Sequence, residues 1–238
     1  MIEFRNVYIQ YVKEFYSLFN FNCVIDYHTL FVGDFYSGTT AIMRTLSKID
    51  KFYTGDILID NINLKNIKDK DLNIAYLLEN PVLFKNKNIF KNLYFSLNIR
   101  KISKNTAKNL ILGVFLEIFK ENFNFLNNYL NIKNKNENIK NITNLINNFL
   151  KLKIKKLNLS EQKIVALIRA MLWQPKYILL ENFFENLDKN YIPLATYLLN
   201  KLKQTSTIIA CENENKSLEI FKNFNIIDLA IDKQKKED

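Results

Sequence analysis

The feature that most constrains this chain is where its scarce glycines fall. Only four occur in 238 residues, and two of them, Gly33 and Gly38, bracket one loop. Before the loop, Thr29-Leu30-Phe31-Val32 reads as a short buried strand; after it, Thr40 to Leu46 has helical character. The loop itself, Gly33-Asp34-Phe35-Tyr36-Ser37-Gly38-Thr39-Thr40, follows the order glycine, four residues, glycine, lysine, then Ser or Thr, with Thr39 in place of lysine. Backbone N–H groups can wrap a phosphate only where no Cβ intrudes. A plain strand-to-helix turn would use the same residues, so the loop alone establishes only strand, glycine turn and helix.

The rest of the chain supplies the context. Residues 4–12 and 18–26 read as strands, Thr54-Gly55-Asp56 as a turn into the strand Ile57-Leu58-Ile59, and Leu72 to Leu78 as a strand stopped at Asn80-Pro81. From Lys85 to about Lys156 the pattern is helical, with Asn134 to Lys140 as a loop. Ser160 to Trp173 is an amphipathic helix closed by Pro175. Tyr177-Ile178-Leu179-Leu180 follows as a fully buried strand. A helix over Ile192 to Leu202 tolerates Pro193 in its first turn, and Thr207 to Cys211 is another buried strand. Buried strands alternating with helices predict an α/β fold with a mostly parallel sheet.

Composition excludes several classes. An apolar fraction of 48%, with 19 Phe and 12 Tyr, suits a folded core. No apolar run approaches the roughly 20 residues of a membrane-spanning helix, and the N-terminus lacks the order of a secretory signal. Cys23 and Cys211 sit in apolar runs and read as core thiols of a reducing compartment. With His28 as the single histidine, a Cys/His metal site is not expected, and His28 reads as structural. The net charge of +10 reflects Lys spread along the chain, with one cluster at Lys151, Lys153, Lys155 and Lys156. No nucleic-acid-binding motif accompanies it, so no nucleic acid is expected.

In order along the chain, further segments resemble the ABC ATPase family over nearly the whole length. Val7 to Tyr11 looks like the segment whose aromatic stacks on adenine, nominating Tyr11. Tyr76-Leu77-Leu78-Glu79-Asn80-Pro81 is similar to the Q-loop, with Glu79 at the glutamine. Leu157-Asn158-Leu159-Ser160-Glu161-Gln162 is similar to the signature motif. There an ungapped match puts Asn158 at the family's serine, and a gapped one keeps Leu159-Ser160 as its Leu-Ser pair. Leu179-Leu180-Glu181-Asn182 resembles Walker B, Asn186-Leu187-Asp188 the D-loop, and Ile209-Ala210-Cys211-Glu212 the strand ending in the switch histidine.

The resemblance implies a P-loop NTPase (RecA-like) core at about 1–84 and 158–238, with an N-terminal antiparallel β-subdomain and an inserted helical subdomain at about 85–157, all one domain over 1–238. It implies ATP and Mg²⁺ as cofactors. Tyr11, Gly33, Ser37, Gly38, Thr39, Thr40, Asn158 and Ser160 would contact nucleotide, and Thr40, Glu79 and Glu181 the metal. It further implies pairing with a second ABC ATPase subunit, identical or different, on transmembrane permease subunits at the inner face of the cell membrane.

The same match predicts impaired chemistry, because phosphoryl transfer rests on positioning and charge neutralisation. Thr39 cannot neutralise phosphate. Glu181 keeps a carboxylate where the family has aspartate. Asn182 replaces the catalytic glutamate, and an amide accepts no proton at neutral pH. Glu212 brings a negative charge where the switch histidine stands. No residue is assigned a confident catalytic role, and nucleotide binding is expected to be weak or absent. The expected function is a catalytically impaired ATP-binding subunit of a membrane transport complex; the alternatives are an ABC-like scaffold in a non-transport assembly, or a weak ATPase with altered motifs.

Overall fold

The computed structural model describes residues 1–12, 15–33, 37–121, 139–212 and 219–229. Two compact units emerge: Met1–Glu79 with Pro175–Glu185 and Thr205–Asp238, and Asn80–Gln174 with Asn186–Gln204.

The first unit holds two sheets. Strands β1 (Ile2–Val12), β2 (Phe15–Ile25), β4 (Tyr53–Ile59) and β5 (Ile62–Asn63) form an antiparallel sheet in the order β2-β1-β4-β5. Along β1 the core face changes parity: Ile2 and Phe4 point inward, then Val7 and Ile9. An irregularity between Phe4 and Val7 carries this change, with Asn6 at φ 49°. Gly55 on β4 accommodates it, because a Cβ there would stand 2.2 Å from the Asn6 carbonyl oxygen.

The second sheet is parallel, with the order β6-β7-β8-β3-β9. Its members are β3 (Thr29–Val32), β6 (Ile74–Leu77), β7 (Tyr177–Glu181), β8 (Thr207–Cys211) and β9 (Asn225–Asp228). β7 is central and buried at every position, as its unbroken apolar run requires. β9 has only two apolar residues and takes extended form by pairing with β3. Helix α1 (Thr39–Leu46) buries Ala41, Ile42, Met43 and Leu46 in one core with Ile2, Phe4, Tyr177, Leu179, Ile209 and Cys211. Alternation along β7 therefore turns Glu181 to the face that α1 covers.

The second unit is helical: α2 (Ile89–Ile99), α3 (Lys104–Lys120), α4 (Ile139–Leu150), α5 (Leu159–Trp173) and α6 (Ile192–Leu202). Asn88 and Ser103 cap α2 and α3 by accepting from Lys91 N–H and Thr106 N–H. The buried Asn92 side chain bonds both Phe84 backbone groups, tying the preceding loop to α2. Residues 134–138 of the expected 134–140 loop lie outside the described residues, while Ile139 and Lys140 begin α4. Helices α5 and α6 pack within this unit, where α5 contacts α2 and α6. Among the described residues no helix is long and apolar enough to cross a membrane.

Candidate functional site

Four sequence-nominated positions lie at the carboxyl ends of four adjacent parallel strands. Glu79 follows β6, Glu181 ends β7, Glu212 follows β8, and Gly33 follows β3. Loops at this edge of a parallel sheet are where such folds hold ligands. With strands about 4.8 Å apart, Gly33 and Glu181 are separated by one intervening strand, roughly 10 Å.

Gly33 follows β3 and Gly38 precedes α1, at the two ends of the glycine loop. A Cβ on Gly33 would stand 2.4 Å from Ser37 Oγ, so Ser37 lies against a position that only glycine fills without displacement. Gly38 has φ 97°, a left-handed conformation, and is the N-cap of α1, where its carbonyl accepts the first helical bond from Ile42 N–H at 3.0 Å. Thr39 is buried and Thr40 exposed at the helix tip. Ser37 Oγ is buried and has no hydrogen-bond partner among the described residues. An unsatisfied hydroxyl inside a glycine cradle is a group that a phosphate oxygen would satisfy. Asp34, Phe35 and Tyr36 lie outside the described residues, as does the Tyr11 side chain, although Tyr11 itself is a β1 residue.

Glu181 is almost wholly buried, and the Tyr76 hydroxyl donates to its Oε2. Strand register explains the meeting. Tyr76 pairs with Leu179, which puts its side chain on the same face as Glu181, two residues behind. Burial, and then the bond to and charge of Glu181, push the Tyr76 phenol far above the ordinary tyrosine value. Burial and the charges of Glu181 and Glu212 likewise push the Cys211 thiol far up, which makes it an inert core group. Cys23 is raised to about 11 by burial.

Asn182 adopts φ 43° and donates its N–H to the Cys211 carbonyl at 2.9 Å, while its side-chain Oδ1 is buried without a partner among the described residues. Glu212 is also buried. Its Oε1 accepts from the Phe183 N–H at 2.9 Å and the Phe184 N–H at 3.4 Å. The carboxylate expected to confront a phosphate is thus hydrogen-bonded to the backbone that follows β7. Neither Tyr76 nor these amides were nominated from sequence; the strand parity of Tyr76 was the available signal.

In the helical unit, Asn158 is the N-cap of α5. Its Oδ1 accepts from Glu161 N–H at 2.9 Å, and Glu161 Oε2 accepts from Asn158 N–H at 2.8 Å, a reciprocal capping box. Leu159 is 38% exposed at the helix tip. Ser160 is buried, with its Oγ accepting from Asp188 N–H at 2.9 Å. Of the two residues left open by the sequence match, Asn158 therefore stands at the tip and Ser160 points inward.

For Mg²⁺, the available donors are the Thr40 hydroxyl and the Glu79 and Glu181 carboxylates, hard oxygen ligands of the kind that ion takes. Tyr76 engages Oε2 of Glu181, leaving Oε1. Among the described residues, no cluster of three or more His, Cys, Asp or Glu side chains could hold a metal without a ligand's oxygens.

His28 has the structural role expected of it: its Nδ1 accepts from Ile208 N–H at 3.1 Å.

Residues 18–184 match the family model described as ABC transporter. The chain belongs to the ABC transporter family. This ABC chain is 25% identical over 181 residues to a molybdate/tungstate import ATP-binding protein of Methanocaldococcus jannaschii, covering 76% of the chain and 51% of that relative. It is 26% identical over 188 residues to a sulfate/thiosulfate import ATP-binding protein of Mesostigma viride, covering 77% and 46%. A dimeric ATP-binding cassette solved in a post-hydrolysis state with ADP and phosphate aligns with TM-score 0.66 and 20% identity, over 97% of this chain and 94% of that one. The ABC chain thus spans about half the length of these curated relatives, while the solved cassette matches its α/β P-loop NTPase fold end to end. Family members bind ATP with Mg²⁺.

Proposed function

We propose that this chain is a nucleotide-binding subunit of an ABC import complex in which the phosphate cradle is retained and hydrolysis is lost. One observation carries the reading. The Gly33–Thr40 loop joins β3 to α1 on the sheet edge that also bears Glu181, yet the residue beside Glu181 is the amide Asn182. A cradle whose general-base position holds an amide supports binding without turnover. The loop lysine is replaced by Thr39, so binding is weak. Were nucleotide bound, Thr40, Glu79 and Glu181 would hold Mg²⁺, and Ser37, Gly38 and Thr39 would offer hydroxyl and amide donors to phosphate.

The whole of 1–238 acts as one nucleotide-binding domain that pairs with a second, catalytically intact ABC subunit. Asn158 is the group it offers to that partner's nucleotide. Its Oδ1 is spent on the cap while its amide NH₂ remains, and the exposed Leu159 narrows the approach where the family's glycine leaves it open.

A permease docks on the helical unit. Val82, Phe84, Phe95, Ile99 and Leu110 are all exposed there, Val82 at 67%. Phe95 and Ile99 are one turn apart on α2, and the rings of Phe84 and Phe95 meet edge-on at 5.1 Å. Exposed apolar side chains gathered in this way mark protein contact. The subunit accordingly lies against the inner face of the membrane.

Titration with a fluorescent ATP analogue, with and without Mg²⁺, tests binding; phosphate release tests turnover; co-purification from native membranes tests the partners. Phosphate release at the rate of an active family member would refute the loss of hydrolysis. Membrane subunits retained after Phe95→Asp with Val82→Asp would refute the docking face.

A further inference from the structure

The helical unit contains a cleft of about 680 Å³ that the nucleotide reading does not use. Its walls come from the start of α2, the first two turns of α3 and the end of α4. Three lysines line it: Lys104 and Lys108, four residues apart on α3, and Lys151 just past α4. Among the described residues no aspartate or glutamate does. None of the three lysines forms an ion pair among the described residues. The nearest thing to a partner is Asn148, whose Oδ1 lies 3.4 Å from Lys151 Nζ. Asparagine amides fill most of the remaining wall, including Asn105, Asn144 and Asn147.

Like charges at i and i+4 repel on a helix. Two such lysines with a third across a concavity, and no carboxylate among the described lining residues, produce a local positive potential that an anion relieves. The volume is that of a small-ligand site, far larger than one phosphate needs, and the amides supply both donors and acceptors for a polar ligand. A concave wall with cations on two sides favours a compact, multiply charged molecule over a flat membrane surface. We infer that this cleft binds a small soluble polyanion carrying clustered phosphoryl groups, separately from the glycine loop.

Inorganic tripolyphosphate is the probe, titrated calorimetrically into the full chain in magnesium-free buffer. The expected result is saturable binding that weakens as salt rises and falls at least tenfold in the variant Lys104→Gln, Lys108→Gln, Lys151→Gln. These lysines are exposed, so the variant keeps its fold, which circular dichroism checks. No tripolyphosphate binding, or binding indifferent to the lysines, overturns the inference. So does lysine-dependent co-sedimentation with phosphatidylglycerol vesicles in the absence of tripolyphosphate binding, which would assign the charge to a membrane surface. The inference does not rest on nucleotide binding: failure of the ATP-analogue titration leaves it standing, and its own failure leaves the nucleotide reading standing.

Discussion

Replacing Tyr76 with Phe removes one hydroxyl and leaves the ring, so it isolates the bond to Glu181. Glu181 is 9% exposed, and a hydrogen bond to a charged group contributes about 1.5–3 kcal/mol. Because some solvent reaches the pair, the lower part of that range applies, and we expect a loss of about 2 kcal/mol. In a domain of 150–250 residues that corresponds to a fall in Tm of roughly 4–8 °C. Thermal unfolding of the wild type, Tyr76→Phe, Glu181→Gln and the double variant forms a mutant cycle. Coupling of at least about 1 kcal/mol is expected, since the two groups touch. A pH series adds an independent readout. The folded-state value of Tyr76 is raised above the ordinary 10.0, so the folded protein keeps a proton that the unfolded chain releases. Its stabilising contribution is complete below pH 10 and declines as pH rises further. Wild-type stability should therefore fall more steeply above pH 10 than that of Tyr76→Phe. A Tyr76→Phe protein with unchanged Tm and an additive cycle would show that the pairing of phenol and carboxylate contributes nothing.

Thr39→Lys should tighten ATP-analogue binding by roughly ten- to a hundred-fold, the worth of one charge-assisted bond, while phosphate release stays at background because Asn182 remains; equal affinities in the titration would contradict this. Gly55→Ala should destabilise by more than about 2 kcal/mol in urea unfolding, because it combines φ 82° with a Cβ placed 2.2 Å from the Asn6 oxygen. Lys201→Met removes an ion pair with Glu117, whose carboxyl is held below its ordinary value by Lys201 and then Tyr197. Both side chains of the pair are more than a third exposed, so the cost should stay under about 1 kcal/mol. That contribution is present above pH 4.5 and lost as pH falls further, which unfolding at pH 7 and pH 3 would register.

Much of the architecture is legible in the sequence because local pattern and burial agree. The unbroken apolar run of β7 has no solvent face and so reads as a central strand. Gly33 and Gly38 are legible because a left-handed N-cap and a zero-clearance contact with Ser37 admit no Cβ. The α5 helix was readable for the same reason, although its packing partners were not: amphipathic spacing says that a face is buried, not against what. The short β9 strand escaped notice because two apolar residues carry no periodicity.

The amino-acid order by itself determined which chemical groups stand along the site: a hydroxyl for the loop cation, an amide for the proton acceptor, glutamates at the other positions. Where those groups point was decided by tertiary structure alone. Tyr76 reaches Glu181 only because β6 and β7 are adjacent in one register, and Glu212 meets the Phe183 and Phe184 amides only because β8 runs beside β7. Such bonds join residues 28 to 105 positions apart, and no local signal encodes them. A sequence specifies its donors and acceptors one residue at a time, whereas their pairing is a property of the assembled sheet.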